Sequence, residues 1–208
     1  MHNYQILKER PDLRIIADMV NKNSKVIDLG CGDGSLLDYL TKTKNITGSG
    51  IELFQDMIIE CVKKGVSVIH GNLNDGLSEI KDKTFDYVIL SQTLQTVDKA
   101  DVLLKEMSRV GKKVLVSFIN FGYYRARFQL MFEGKMPVTR NLPYQWYNTP
   151  NIHLGTIRDF RTLCKTLDLN IITQVSANKT LKIASRIWPN LFSSTCVFMI
   201  ENKNYKAV

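Results

Sequence analysis

The chain has 208 residues, four cysteines and a formal net charge of +8 at neutral pH. That length supports one complete hydrophobic core without disulfides or a structural metal. No stretch approaches the ~20 uninterrupted apolar residues of a membrane-spanning helix, and Met1 to Gln5 lack the apolar core of a signal peptide.

Cys31, Cys61, Cys164 and Cys196 lie far apart and form no C-x-x-C pair. This pattern predicts reduced thiols in the cytoplasm and no metal site. The charge is uneven. Residues 1–110 hold 14 Lys/Arg against 16 Asp/Glu, whereas residues 111–208 hold 14 against 4. A basic half suits an anionic metabolite or an acidic protein face, or serves only solubility. The charges form no dense block, which counts against nucleic acid.

Leu13, Ile16, Ala17 and Val20 recur at helical spacing, with Asp12 as the expected N-cap and Asn21 to Ser24 as the exit. Lys25–Leu29 reads as the first strand. A glycine turn follows, then a helix burying Leu36, Leu37 and Leu40. Thr47–Ile51 is the second strand, ending at Glu52. Asp56 is expected to cap a helix with Ile58, Cys61 and Val62 inward, ended by Gly65. Val66–Ile69 and Phe85–Leu90 are strands three and four. Leu103, Leu104, Met107 and Val110 mark a helix before Gly111, and Val114–Phe118 is strand five.

Asn120–Gly155 breaks the rhythm, with Pro137, Pro143 and Pro150 among Tyr, Trp, Arg and Asn. Its one predicted helix spans Tyr123 to Glu133, with Tyr124, Phe128, Met131 and Phe132 on one side and Gly134 at its end. So long and aromatic a stretch inside a compact domain reads as a lid or binding region. Thr156 and Asp159 form a capping-box start for a helix through Leu167. Asn170–Val175 and Thr195–Ile200 are the last strands, with Ser176–Ser194 unassigned between them. Strands alternating with helices of about ten residues predict one doubly wound α/β domain with a mostly parallel sheet. Its ligand belongs beyond the strand ends, between strands one and four.

The chemistry converges on that place. Gly30, Gly32 and Gly34 alternate in Asp28-Leu29-Gly30-Cys31-Gly32-Asp33-Gly34, so the backbone turns tightly and a ligand can approach it. Ser35 stands where a dinucleotide motif needs its last glycine, so a nucleoside cofactor without a pyrophosphate is expected. Asp28 can hold a cationic amino group. Glu52, 22 residues beyond Gly30, matches the acidic position that grips a ribose. Asn72 and the backbone of Leu73 can meet a base edge, with Leu53, Cys31 and Ser91 completing the wall. This set suits S-adenosyl-L-methionine, or S-adenosyl-L-homocysteine, better than NAD.

The glycine motif resembles motif I of the class I S-adenosylmethionine-dependent methyltransferases. Phe85–Gln95, Val116–Gly122, Met136–Arg140 and Pro143–Leu154 together resemble the methionine biosynthesis protein MetW family, from about Lys25 to the last strand. The resemblance implies a Rossmann-like, seven-stranded fold whose last strand is antiparallel. It also implies partnership with homoserine O-acyltransferase (MetX). Asn72 departs from the aspartate of many relatives, losing a charge-assisted contact. The chain lacks both an Asn-Pro-Pro-aromatic motif after strand four and a Pro-Cys pair. Gln95 stands where many small-molecule methyltransferases carry histidine. His153 is the remaining candidate base, and a simple bond from it to loop backbone is the stronger alternative. Arg125, Arg140, Tyr144, Trp146, Tyr147 and His153 are the expected substrate or partner contacts. The alternative to a partner protein is an enzyme methylating a small anionic metabolite.

Overall fold

A computed structural model describes residues 5–177 and 182–203. Seven strands form one sheet: β1 (Lys25–Leu29), β2 (Thr47–Glu52), β3 (Ser67–His70), β4 (Phe85–Ser91), β5 (Gly111–Ile119), β6 (Leu169–Ser176) and β7 (Thr195–Asn202). Their order is β3-β2-β1-β4-β5-β7-β6. Every pairing is parallel except those of β7, which runs antiparallel to both neighbours. The order reverses between β1 and β4, which places a crevice beyond their C-terminal ends.

Strand parity assigns the core. Ile27, Leu29, Val88, Leu90, Val116 and Phe118 face one side, under α5 (Ala100–Val110) and α7 (Ile157–Thr166). Val26, Tyr87, Ile89, Leu115 and Val197 face the other, under α2 (Pro11–Met19) and α3 (Ser35–Lys44). Phe118, Phe160 and Phe198 meet with ring centroids 4.6–5.8 Å apart. Burying each ring stabilises the fold by about 2–3 kcal/mol. The Thr156–Asp159 capping box forms as expected at the start of α7.

Several local expectations fail. The first helix starts at Pro11, and Asp12 does not cap it; its carboxylate turns into the interior. A further short helix, α1 (Gln5–Glu9), precedes it. Helix α4 (Gln55–Lys63) begins after Phe54 with no side-chain cap, so Asp56 is a first-turn residue. Cys61 is buried, but Val62 is 65% exposed rather than inward. Of the residues of α4, only Cys61 is buried. The expected helix at Tyr123 is α6 (Tyr124–Phe128), which widens into a π-helical turn at Gln129–Glu133. Ser176–Ser194 contains α8 (Lys182–Ile187) and α9 (Pro189–Phe192). Met1–Tyr4, read above for a signal peptide, and residues 178–181 lie outside the described residues. Among the described residues, no helix is long and apolar enough to cross a membrane.

Candidate functional site

The glycine turn leaves β1 at the point where the sheet order reverses. Gly30, Gly32 and Gly34 all take left-handed backbone angles, φ 72°, 55° and 72°. Side chains rarely tolerate these angles, which explains the glycines. The turn is fixed from β2, because Gly30 and Cys31 both donate to the Ile51 carbonyl at 2.8 and 3.2 Å. On its far side Asp33 accepts from the Ser35 hydroxyl at 2.6 Å and pairs with Lys64. Burial works against the Asp33 charge, but Lys64 and Ser35 outweigh it and hold the carboxyl below its usual range.

A cavity of about 250 Å³ opens over this turn, lined by Asp28, Gly30, Cys31, Gly32 and Ser91. Asp28 is its most unusual wall. Its carboxylate is 3% exposed, and Oδ1 has no hydrogen-bond partner among the described residues. Burial raises its pKa to about 8; nearby Arg10 opposes the rise and Glu52 adds to it. A buried acceptor in this state suits a ligand cation that is also a donor. A Cβ at Gly32 would meet nothing within 4 Å, so open space lies directly over the turn.

Glu52 is buried at the end of β2 and supports the turn rather than lining the cavity. Its Oε2 accepts from Gly32 N at 2.8 Å, and Oε1 accepts from Leu53 N and Phe54 N at 2.8 and 3.0 Å. Gly34 begins α3 beneath the cavity, where Cys61 Sγ would lie 2.9 Å from an added Cβ. Cys31 and Cys61 face each other, Sγ to Sγ 3.9 Å, and burial pushes both thiols up. Leu53 is 47% exposed beside the site. Asn72 and Leu73 open a single 3-10 turn after β3 and do not line the cavity; Asn72 Oδ1 accepts from Asn74 N at 3.0 Å.

The structure adds two residues that sequence reasoning missed. Arg10 lines the cavity and also a neighbouring chamber of about 620 Å³. Its guanidinium forks onto Asp12 and reaches Ser91 Oγ at 2.6 Å. Asp12, expected only as a helix cap, accepts further from Ser117 Oγ at 2.8 Å and Gln92 Nε2 at 3.2 Å. Burial would raise its pKa, but Arg10 and then Ser117 hold it low. No local motif marks Arg10. The only legible signal was an arginine two residues before an acidic helix start.

The insertion residues separate into three places. Arg140 and Tyr144 line the larger chamber. Arg125 lies outside it, on a groove it shares with Arg140. Trp146 and Tyr147 form an exposed edge-on pair, centroids 5.8 Å apart. His153 is exposed, and its Nε2 donates to the Val97 carbonyl at 2.9 Å. Gln95, in contrast, is buried: Oε1 accepts from Ile119 N at 3.0 Å, and Nε2 donates to the His153 carbonyl at 2.9 Å. Its own carbonyl accepts from Ile152 N and His153 N. Gln95 therefore ties the loop after β4 to the insertion.

Comparison with known proteins shows the family and the fold. The family model described as methionine biosynthesis protein MetW matches residues 10–200. The chain is 34% identical over 204 residues to the bifunctional methionine biosynthesis protein MetXA/MetW of Rhodopirellula baltica, covering 93% of this chain and 33% of that protein. It thus spans only a third of that relative's length. It is 29% identical over 153 residues to a demethylmenaquinone methyltransferase of Staphylococcus aureus, covering 64% of this chain and 63% of that one. Among solved structures it resembles an S-adenosylmethionine dependent methyltransferase from Mesorhizobium loti, TM-score 0.69 at 15% identity, over 93% of this chain and 99% of that one. A methyltransferase of the same type from Archaeoglobus fulgidus gives 0.65 at 17%, over 96% and 95%. At such identities the likeness shows the fold.

Proposed function

The chain belongs to the methionine biosynthesis protein MetW family, and from that premise we propose that it is a cofactor-holding partner of homoserine O-acyltransferase (MetX). It would hold S-adenosylmethionine, or S-adenosylhomocysteine, over the glycine turn in the cytoplasm and activate the acyltransferase. The observation that carries the partnership is the Rhodopirellula baltica relative, in which MetXA and MetW are named as one bifunctional protein. Such a fusion gives the two halves a high effective concentration, which two separate chains replace by an interface.

The donor set fits the cofactor. Asp28 Oδ1 would take the ammonium of its amino-acid end, and Arg10, on the same wall, its carboxylate. The glycine backbone would lie against it across the open space at Gly32. Glu52 would shape the ribose side through the turn that it holds, with exposed Leu53 next to it, and Asn72 and Leu73 would meet the base only from outside this cavity. When bound, the cofactor supplies an activated methyl group. Of the two positions considered for a base, neither is placed to act as one: His153 donates to a carbonyl, and Gln95 is committed to backbone. That favours binding over turnover.

A second reading has one observation behind it. The 620 Å³ chamber beside the crevice carries Arg10 and Arg140, a setting for a small anion that would be methylated by alignment alone. Titrating S-adenosylmethionine into the chain, alone and mixed with the acyltransferase, separates the two. Partnership predicts a higher acyltransferase rate with the chain present and different cofactor affinities in the two titrations, because the coupling is reciprocal. Equal affinities with an unchanged rate would sink it. Loss of labelled methyl transfer in cell extract on Gly32→Arg would support the enzyme.

A further inference from the structure

The insertion exposes an aromatic row that nothing among the described residues covers fully. Phe132 stacks on Phe128 at 5.4 Å, Phe128 meets Tyr124 edge-on at 6.3 Å, and Tyr124 meets Phe192 at 6.0 Å. Phe192 in turn stacks on Trp188 at 6.2 Å. The row therefore runs from the π-helical turn onto α9, joining two segments more than 50 residues apart. Phe128, Phe132 and Trp188 remain 52%, 71% and 64% exposed. Large aromatic side chains exposed side by side are a feature of interaction surfaces. Alongside it a groove of about 400 Å³ lies between α6 and Val138–Arg140, with Arg125 and Arg140 at its edges.

We propose that this row and groove are the docking face for homoserine O-acyltransferase, receiving an apolar segment flanked by carboxylates. The inference rests on the partnership proposed above and assigns it a surface. Three observations select this occupant. The match to the MetXA/MetW relative covers 93% of this chain, so it includes the insertion within a protein that also carries the MetXA half. The insertion is basic, with Arg125, Arg127, Lys135 and Arg140 against Glu133 alone between residues 123 and 154, and Arg125 and Arg140 line the groove with Glu133. A second copy meeting it across a two-fold axis would bring those cations onto themselves, whereas an acidic partner face pairs with them. Finally, Gln95 ties the insertion to the loop that follows β4. Arg140 lines both the groove and the larger chamber, and Arg10 joins that chamber to the cavity over the glycine turn. A partner seated on the groove thus meets side chains that reach toward the cavity, which activation coupled to the cofactor requires.

The test is direct binding of the purified chain to purified homoserine O-acyltransferase, read by sedimentation or calorimetry, with Phe128→Glu/Phe132→Glu, Arg125→Glu and Val62→Glu as variants. Val62 is 65% exposed on α4, away from the row. The double variant should bind at least about thirty-fold more weakly, the scale of a lost aromatic hot spot. Arg125→Glu should weaken binding in a salt-dependent way, and Val62→Glu should match the unaltered chain. Melting temperature and S-adenosylmethionine affinity should stay constant throughout. Should the double variant be misfolded, Arg125→Glu alone, on a fully exposed side chain, decides the matter. Binding of the unaltered chain that survives both variants would overturn the docking face but leave the partnership standing. No binding by the unaltered chain would overturn both. Loss only of self-association, or only of binding to anionic vesicles, would give the row to a second copy or a membrane and overturn the proposal.

Discussion

Arg10 grips Asp12 through two bonds, Nε to Oδ1 at 3.0 Å and Nη2 to Oδ2 at 2.7 Å, at the boundary between the cavity over the glycine turn and the larger chamber. Asp12 is only 1% exposed, so the pair is screened little on the carboxylate side. Arg10→Ala leaves a buried carboxylate with only Ser117 and Gln92, and should cost about 2–3 kcal/mol of stability. The folded-state pKa of Asp12 is lowered, so its contribution is complete above the unfolded value and lost as pH falls through the folded one. Urea melts between pH 6 and pH 2 should show this loss in the unaltered chain, and much less of it in Arg10→Ala.

Asp28 has the opposite sign. Its pKa rises to about 8 from 3.8, so the folded chain holds a proton there that the unfolded chain releases. Stability should therefore fall as pH rises from about 4 to 8, and level off above. A ligand ammonium that needs the carboxylate must expel that proton. S-adenosylmethionine affinity should improve by about tenfold per pH unit between pH 6 and 7.5. Asp28→Asn should flatten both dependences. Calorimetry in two buffers of different ionisation heat would register the released proton, and a pH-independent affinity in the unaltered chain would refute the assignment.

Two glycines should respond differently to alanine. At Gly32 the new Cβ enters open space, so stability should drop by only about 1 kcal/mol from the left-handed backbone. Cofactor affinity should nonetheless fall at least about tenfold, because the methyl occupies the approach to the turn. At Gly50 the new Cβ would lie 2.9 Å from Cys31 Cβ, so the turn itself must shift. There stability should fall by about 1–3 kcal/mol along with affinity. Thermal melts with cofactor titration separate the two patterns.

Gln95→Leu should loosen the insertion without unfolding the sheet. It removes the partners of Ile119 N–H and the His153 carbonyl, at a cost of about 2 kcal/mol. Hydrogen exchange should speed up selectively across residues 150–155, where the Ile152 and His153 amides bond to the Gln95 backbone. If His153 merely braces this loop, His153→Ala should shift the same amides and leave cofactor affinity unchanged.

Much of the fold was legible because its signals are local. The apolar blocks at Val26–Leu29, Tyr87–Leu90 and Val114–Phe118 became central strands, and Leu36, Leu37 and Leu40 became the buried stripe of α3. Caps were less legible. Thr156 and Asp159 form their box, but Asp12 and Asp56 do not cap, because the fork of half-buried Arg10 onto Asp12 and an uncapped Phe54 start decided those helix ends. The aromatic spacing from Tyr124 to Phe132 signalled a helix, yet not that it would widen into a π turn and leave its rings outside.

Alone, the sequence determined the strand–turn–helix with its three alternate glycines, the acidic ends of β1 and β2, and an aromatic, basic insertion. These follow from backbone sterics and from side-chain periods of 2 and 3.6, which act over a few residues. The tertiary structure decided which distant groups meet: Asp12 with Ser117 across 105 positions, Arg10 with Ser91 across 81, and Gln95 with His153 across 58. Those pairings depend on sheet order and on the face each strand presents. Neither is written in any single stretch of chain, so Asp12 read as a cap, Gln95 as a vacant base position, and Arg10 as nothing at all.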